Sequence, residues 1–202
     1  MEIKRAIEFE ENIRDKITEL YVEGFFEDGW KFFSKDKIKL KRAFAPLFEL
    51  EYFYVAVIDN EIAGMIACMN KDKFCLNINI KIFVKYLGIF GGLLAYFGNK
   101  NFLSKFQNET ETKLAIPEFL VTDEKFRKRG VASSLMKYLL ALPEYEHYVI
   151  DVADTNTASL NLCQKLGYKE VSRKKFMPRS GINYWIRLKY SKENDRDKNA
   201  ST

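Results

Sequence analysis

An apolar stretch, a short basic loop and a periodically apolar stretch follow one another at residues 114–142. This succession constrains the fold more than any other feature of the 202-residue chain. Residues 114–121 are mostly apolar and predict a β-strand. Residues 131–142 repeat apolar side chains at helical spacing, which predicts a helix with one buried face. The loop therefore ends at a helix N terminus, where unpaired backbone N–H groups favour phosphate.

The loop and the first helical turn supply the candidate phosphate-binding residues. The glycine lets a ligand approach the backbone closely, and the small residues after it leave the first turn uncluttered. The candidates are Arg127, Lys128, Arg129, Gly130, Val131, Ala132 and Ser133. For the three basic residues, a run of solvated surface charges is the alternative.

Strand and helix patterns elsewhere predict the fold class. The second half is predicted to contain a strand at 146–153, a helix at 156–166 and strands at 168–174 and 182–190. The first half is predicted to contain a strand at 2–8, a helix from Asn12, a helical stripe at 40–48 that Pro46 kinks or restarts, and a hairpin of strands 52–58 and 62–69. Together these elements predict an α/β (α+β mixed) fold, a mixed sheet flanked by helices.

Residues 70–110 are predicted to be a helical insertion in this domain. The apolar run 82–97 is interrupted by Lys85, Gly88, Gly91 and Gly92, and its uninterrupted part is too short to span a bilayer. We expect a helix packed on the domain, covering an aromatic cleft, without membrane contact. An interfacial membrane contact is the alternative.

Composition narrows the class of protein. The net charge of +5 suits an anionic ligand but is too small to indicate nucleic acid binding. A single histidine, His147, excludes sites that need several histidines, and we expect no metal. Three cysteines without a CxxC pattern predict reduced thiols and, with no signal-peptide pattern, a cytoplasmic protein. We expect one domain over residues 1–190 and a disordered polar tail over 191–202.

Two motifs in this order resemble the GNAT superfamily of N-acetyltransferases. The loop reads Arg127-x-x-Gly130-x-Ala132, like the acetyl-CoA signature of that family, and residues 156–168 resemble its Asn-to-Gly-Phe helix. The resemblance covers residues 52–190. It implies a centrally splayed sheet, acetyl-CoA as the acyl donor and direct transfer to a primary amine. It also implies that Asn156 contacts the pantetheine arm; an N-cap role is the alternative.

Glu118 is the candidate general base. In an unbroken strand it would point the same way as Leu114, Ile116 and Leu120, so burial should raise its pKa. An ion-paired or solvent-facing carboxylate is the alternative. The resemblance implies that the strand bulges near Pro117, which lacks a ladder donor. The amide of Leu120 or Val121 would then face the thioester and the pantetheine.

Cys163 is the candidate general acid, because it stands where many members of the family have tyrosine. It is predicted to face inward, so water or Tyr168 could supply the proton instead. A non-catalytic acyl-CoA-binding regulatory domain is the second functional hypothesis, and an interaction or membrane-surface module at residues 74–106 is the third. The acceptor is left open, as is a homodimer; segments 24–30, 70–110 and 176–183 are expected to line the acceptor cleft.

Overall fold

The computed structural model describes residues 1–9, 12–27, 29–176 and 181–193. Seven strands form one open sheet in the order β1-β2-β3-β4-β5-β7-β6. Neighbouring strands are antiparallel except β4 and β5, which are parallel. The strands are β1 (Glu2–Arg5), β2 (Phe53–Ile58), β3 (Glu61–Met69), β4 (Leu114–Thr122), β5 (His147–Ala153), β6 (Lys169–Lys175) and β7 (Tyr184–Ser191). The predicted mixed sheet is confirmed.

Helices cover both faces of this sheet. The α-helices are α1 (Ile13–Phe25), α2 (Lys37–Phe44), α3 (Ile80–Gln107), α4 (Val131–Ala141) and α5 (Thr157–Lys165). Because side chains alternate along a strand, Ile116 and Val149 pack with α1, α2 and α3, whereas Ala115 and Tyr148 pack with α4 and α5. The two apolar clusters lie on opposite faces of the sheet, as its helical layers require.

The first half of the chain differs from the prediction at its element ends. The first strand stops at Arg5, and Ala6–Glu8 form a 3₁₀ turn. Asp36 caps α2 by accepting hydrogen bonds from two backbone amides, and Pro46 restarts the chain as a 3₁₀ turn after Phe44. The β2–β3 hairpin is confirmed; both residues of its Asp59-Asn60 turn have positive φ, as a type I′ turn requires.

The 70–110 segment contains a helix, as predicted, and this helix is broken. Gly88 has φ 75° and ψ 175°, which divides α3 into segments 80–87 and 89–107. A Cβ at Gly92 would lie 2.6 Å from the Val84 backbone. In a straight helix residues eight apart are separated by about 12 Å, so the second segment folds back against the first.

By length and composition α3 passes the test for a membrane-spanning helix, the one helix among the described residues that does so. The break at Gly88 means that its 28 residues do not form a straight rod. Residues 194–202, most of the predicted disordered tail, lie outside the described residues. The single-domain assignment stays a prediction.

Candidate functional site

The sheet opens between β4 and β5. These two strands pair only at Leu114–His147 and Ala115–Tyr148. Beyond these pairs, the edge of β4 that faces β5 has no partner strand among the described residues. An unpaired strand edge can accept an extended ligand through backbone hydrogen bonds. The centrally splayed sheet expected from the resemblance is therefore present.

A bulge in β4 lies at the same level as this opening. Ala67 pairs with Glu118 and Met65 with Val121, so one residue of β3 opposes two of β4. Phe119 adopts a positive φ of 55°, rare for a bulky residue. Pro117 is still in register with Cys68, so the irregularity begins two residues after the proline.

The bulge changes which face each side chain occupies. Phe119 packs in the cluster formed with α1, α2 and α3, and Leu120 packs on the opposite face with α4 and α5. The expectation that Leu120 shares a face with Ile116 is therefore wrong. It assumed strict alternation, and the extra residue in β4 reverses the alternation beyond Glu118.

Glu118 is a buried carboxyl with an unsatisfied oxygen. Its Oε1 atom is inaccessible to solvent and has no hydrogen-bond partner in the described part of the chain, although the residue as a whole is partly exposed. Burial raises the pKa of Glu118 to about 8; Lys105 lowers it, Asp151 raises it further and Arg187 lowers it. A carboxyl with such a pKa can exchange a proton near neutral pH, as a general base must.

The charges nearest Glu118 are mostly paired with one another. Arg187 Nε donates to Asp151 Oδ1 at 2.9 Å, and a second guanidinium nitrogen donates to Glu109 Oε1 at 2.6 Å. Lys105 Nζ lies 3.5 Å from Asp151 Oδ2. Because these contacts largely cancel the charges, desolvation is the main cause of the raised pKa of Glu118.

Aromatic side chains surround the bulge on the face of the sheet that packs against α1, α2 and α3. The Phe119 ring lies 4.9, 5.7 and 5.8 Å from the rings of Tyr21, Phe102 and Phe25, respectively. Trp30 stacks on Tyr21 with ring centres 5.1 Å apart. Segment 24–30 and the 70–110 segment therefore meet at β4, as expected of acceptor-cleft walls. The third expected wall, 176–183, lies partly outside the described residues.

In this aromatic cluster the polar atoms of two side chains also lack hydrogen-bond partners among the described residues. Tyr21 Oη and Trp30 Nε1 are buried without a hydrogen-bond partner among the residues described. The sequence predicts Tyr21 only as part of the helix that begins near Asn12. Burial raises the pKa of Tyr21 well above its usual value, and Cys75 and Glu118 raise it further. The proximity of Tyr21 to Glu118 arises from tertiary packing. No local signal could have identified it.

The loop after β4 presents free backbone amides. Asp123 N donates to Ala63 O at 2.9 Å, which anchors the loop to β3. Arg127 N donates to Glu124 O at 3.3 Å, and the first bond within α4 runs from Ser134 N to Gly130 O. Within the described residues the amides of 128–133 have no hydrogen-bond acceptor. The predicted set of free amides is thus confirmed, except that it begins at Lys128.

Conformation and packing set the start of α4. Gly130 has φ 80°, a left-handed conformation that favours glycine, and a Cβ there would meet nothing within 4 Å. Opposite the helix, Gly64 leaves room for Val131: a Cβ at Gly64 would lie 2.8 Å from Val131 Cγ1. The amide end of α4 is therefore held close to β3, facing open space.

The basic side chains of the loop remain accessible. Arg127 and Arg129 are exposed and lie 3.7 and 3.8 Å from the carboxylates of Glu124 and Asp59. Exposed pairs at such distances contribute little stability. Lys128 is exposed and has no ion pair among the described residues. These cations can therefore turn to an anionic ligand at the helix N terminus at small cost.

Asn156 caps α5, whose buried face carries Cys163. The Asn156 Oδ1 atom accepts from Ser159 N at 3.1 Å, so the N-cap role is present and its amide NH₂ is left over for another partner. Burial raises the pKa of Cys163 to about 11. The Tyr168 hydroxyl is buried in the same cluster, and its pKa lies well above the usual value because of burial and Cys163.

Comparisons with known proteins agree with the fold. The fold is similar to an N-acetyltransferase from Staphylococcus aureus Mu50, with 14% identity and a TM-score of 0.57 over 94% of this chain and 100% of that chain. It is also similar to a structure described as an acetyltransferase, with 17% identity and a TM-score of 0.57 over 95% of this chain and 99% of that chain. A third similar structure is a protein from Pyrococcus horikoshii OT3, with 17% identity and a TM-score of 0.55 over 95% of this chain and 98% of that chain.

No curated protein sequence matches the chain. The structural likenesses, at such low identity, establish the fold alone. The profile of the acetyltransferase (GNAT) family matches residues 14–168, which include β4, its loop and the cap of α5. The chain therefore belongs to the GNAT family of acetyltransferases.

Proposed function

We propose that the protein transfers an acetyl group from acetyl-CoA directly to a primary amine. The observation that carries the proposal is the set of free amides at 128–133. These amides follow directly after β4, a bulged strand that is mostly unpaired on its β5 side and that carries the buried carboxyl of Glu118. A helix N terminus can bind a diphosphate, and the free edge of the preceding strand can at the same time pair with an extended arm that contains amides. Acetyl-CoA, the acyl donor of the family, has both groups.

In this proposal the donor lies along the opening between β4 and β5. The amides of 128–133 and the side chains of Arg127, Lys128 and Arg129 hold the diphosphate. The pantetheine arm pairs with the free edge of β4 and with the Asn156 amide. The backbone amide of Leu120 or Val121 donates to the thioester oxygen, where negative charge develops during attack.

Glu118 prepares the acceptor. An alkyl amine with a pKa near 10.4 is mostly protonated at neutral pH and must lose a proton before it attacks. The Glu118 carboxylate accepts that proton, directly or through a water molecule. The amine nitrogen bonds to the thioester carbon, the carbon–sulfur bond breaks, and CoA leaves as a thiolate that takes up a proton.

Proton donation to the thiolate contributes little to the rate, because a thiol pKa near 8.5 makes the thiolate a good leaving group. Cys163→Ala is therefore expected to lower kcat by less than about tenfold. Comparison of Cys163→Ala with Tyr168→Phe, by release of free thiol from acetyl-CoA, assigns the donor to whichever change lowers kcat more. A loss of about 100-fold or more for Cys163→Ala would contradict this account of the leaving group.

Asn156→Asp is expected to separate the cap from ligand binding. Aspartate caps a helix as well as asparagine does, so the melting temperature should stay unchanged. A carboxylate cannot donate to the pantetheine, so the KM for acetyl-CoA should rise several-fold. Asn156→Ala is the matched control, since it should lower both stability and affinity. An unchanged KM for Asn156→Asp would show that the residue is only a cap.

Turnover tests the proposal itself. Purified protein is incubated with acetyl-CoA and a panel of primary amines: alkylamines, polyamines, amino acids and peptides with free N termini. Sustained release of CoA together with an N-acetylated product by mass spectrometry is the expected result. Tight binding of acetyl-CoA without acetylation of any amine would instead favour the non-catalytic acyl-CoA-binding domain, which the replacement of the family tyrosine by Cys163 makes the second candidate.

A further inference from the structure

One side of segment 89–107 is an exposed apolar surface. We call it the α3 apolar face; its residues are Ile89, Phe90, Leu93, Leu94 and Phe97. Phe90 is 83% exposed, Ile89 72% and Phe97 59%. Spacings of three and four residues place these side chains on one side of the helix. Large apolar side chains that share one exposed stripe indicate an interaction surface.

The opposite side of the same segment is fixed to the domain. Ala95, Leu103 and Phe106 are buried in the core cluster with α1 and α2. Gly91 packs on the backbone of Phe33, because a Cβ at Gly91 would lie 2.5 Å from Phe33 O. The neighbouring Phe32 is 69% exposed. Because its opposite side is packed on the domain, the α3 apolar face points outward.

The charged residues of α3 all have one sign. No acidic residue occurs between Asp72 and Glu109, a stretch that contains five lysines, residues 73, 81, 85, 100 and 105. Lys81, Lys85 and Lys100 are exposed and form no ion pair with any residue that the structure describes. Lys85 and Lys100 lie over the rings of Tyr86 and Tyr96. Lysines beside exposed aromatic and aliphatic groups are typical of helices that lie in a membrane interface.

We propose that α3 docks the protein on the surface of an anionic lipid bilayer. The α3 apolar face inserts among the acyl chains near the headgroups, and Lys81, Lys85 and Lys100 contact lipid phosphates. This proposal replaces the expectation of no membrane contact, because that expectation assumed that the apolar residues of 82–97 would be covered by the domain. The helix lies in the interface and does not span the bilayer, since Gly88 breaks it and Phe83 and Phe106 belong to the core.

A second copy of the chain fits this face less well. In a symmetric pair the same surface meets itself, so the lysines of one copy would lie near those of the other with no acidic residue of α3 between them. Like charges brought together in this way oppose association. Anionic lipid headgroups, in contrast, complement the lysines while the acyl chains cover the apolar side chains.

Vesicle flotation of the full-length protein tests the proposal. We expect it to float with vesicles of phosphatidylcholine and phosphatidylglycerol, to stay behind with pure phosphatidylcholine, and to be released by high salt. Phe90→Ser/Phe97→Ser should weaken partitioning by roughly tenfold or more, and Lys85→Gln/Lys100→Gln by a similar factor. Both pairs are exposed, so the variants should fold, as thermal melting will show.

Matched variants control for general changes in surface chemistry. Ile7→Ser/Val171→Ser removes exposed apolar side chains elsewhere, and Lys169→Gln/Lys174→Gln removes two lysines of β6. Neither should change flotation. Absence of the wild type from anionic vesicles, or equal loss with the control variants, would overturn the proposal. So would a dimer in light scattering that Phe90→Ser/Phe97→Ser dissociates without any vesicle binding, because a second copy would then cover the face.

Discussion

Replacement of Glu118 by glutamine is expected to lower kcat for acetyl transfer by about 100-fold or more. Glutamine is close to glutamate in size and polarity but cannot accept the amine proton. Since the pKa of Glu118 lies at about 8, the wild-type rate should rise with pH up to that value and then level off. In Glu118→Gln this step should be missing. Initial rates between pH 6 and pH 10, with both acetyl-CoA and the amine saturating, measure both effects.

The same substitution has a stability signature that is independent of catalysis. The pKa of Glu118 is 4.5 without the fold and about 8 within it, so folding favours the protonated form. The stability that the protonated carboxyl contributes is full below pH 4.5 and is lost as the pH rises through 8. Relative to the wild type, Glu118→Gln should therefore melt at increasingly higher temperature as the pH rises from 5 to 9.

Glu144→Gln, at an exposed carboxylate between α4 and β5, is the control and should change neither profile. An unchanged pH–rate profile in Glu118→Gln would show that another group accepts the proton. If the melting difference stayed constant with pH while the rate fell, Glu118 would act without the burial described here. The two measurements thus separate the chemical role of the carboxyl from its environment.

Replacement of Gly130 by alanine is expected to weaken CoA binding by roughly tenfold or more. The added methyl group would enter the open space next to the free amides, where the diphosphate is proposed to lie, and would crowd it. The left-handed conformation adds strain of about 1–2 kcal/mol, which lowers the melting temperature slightly. Calorimetric titration with CoA measures the affinity, and thermal melting measures the strain.

Gly181→Ala is a closely matched control. Gly181 has φ 77° and, like Gly130, nothing within 4 Å of a Cβ. The two variants should lose similar stability, but only Gly130→Ala should lose affinity for CoA. Wild-type affinity for CoA in Gly130→Ala would place the diphosphate away from the start of α4. Equal loss of affinity in both would attribute the effect to backbone strain alone.

The parts of this structure that depend on local patterns were predictable from sequence. The strand, loop and helix of 114–142 are adjacent in the chain, so periodicity and one glycine were sufficient to place the free amides. The β2–β3 hairpin followed from its Asp59-Asn60 turn. The burial of Glu118 followed from apolar neighbours in β4. In each case the residues that determine the feature lie within one or two elements of it.

Features that depend on distant contacts were not predictable in the same way. The bulge puts Phe119 and Leu120 on unexpected faces, because β3 and β4 pair out of simple register there. Glu118 interacts electrostatically with Tyr21 on α1 and with Lys105 on α3. These residues are 97 and 13 positions away from it along the chain. The exposure of the α3 apolar face depends on which side of the helix the core covers. Hydrophobicity alone cannot decide this.

The central claim is that the amides of 128–133 hold the diphosphate of the acyl donor. Backbone ¹⁵N–¹H resonances of these six residues, followed while CoA is titrated into the folded protein, test it most directly. We expect large shifts at 128–133 with CoA, and none there with pantetheine, which lacks the diphosphate. CoA that binds while these resonances stay in place, or no binding of CoA at all, would contradict the account.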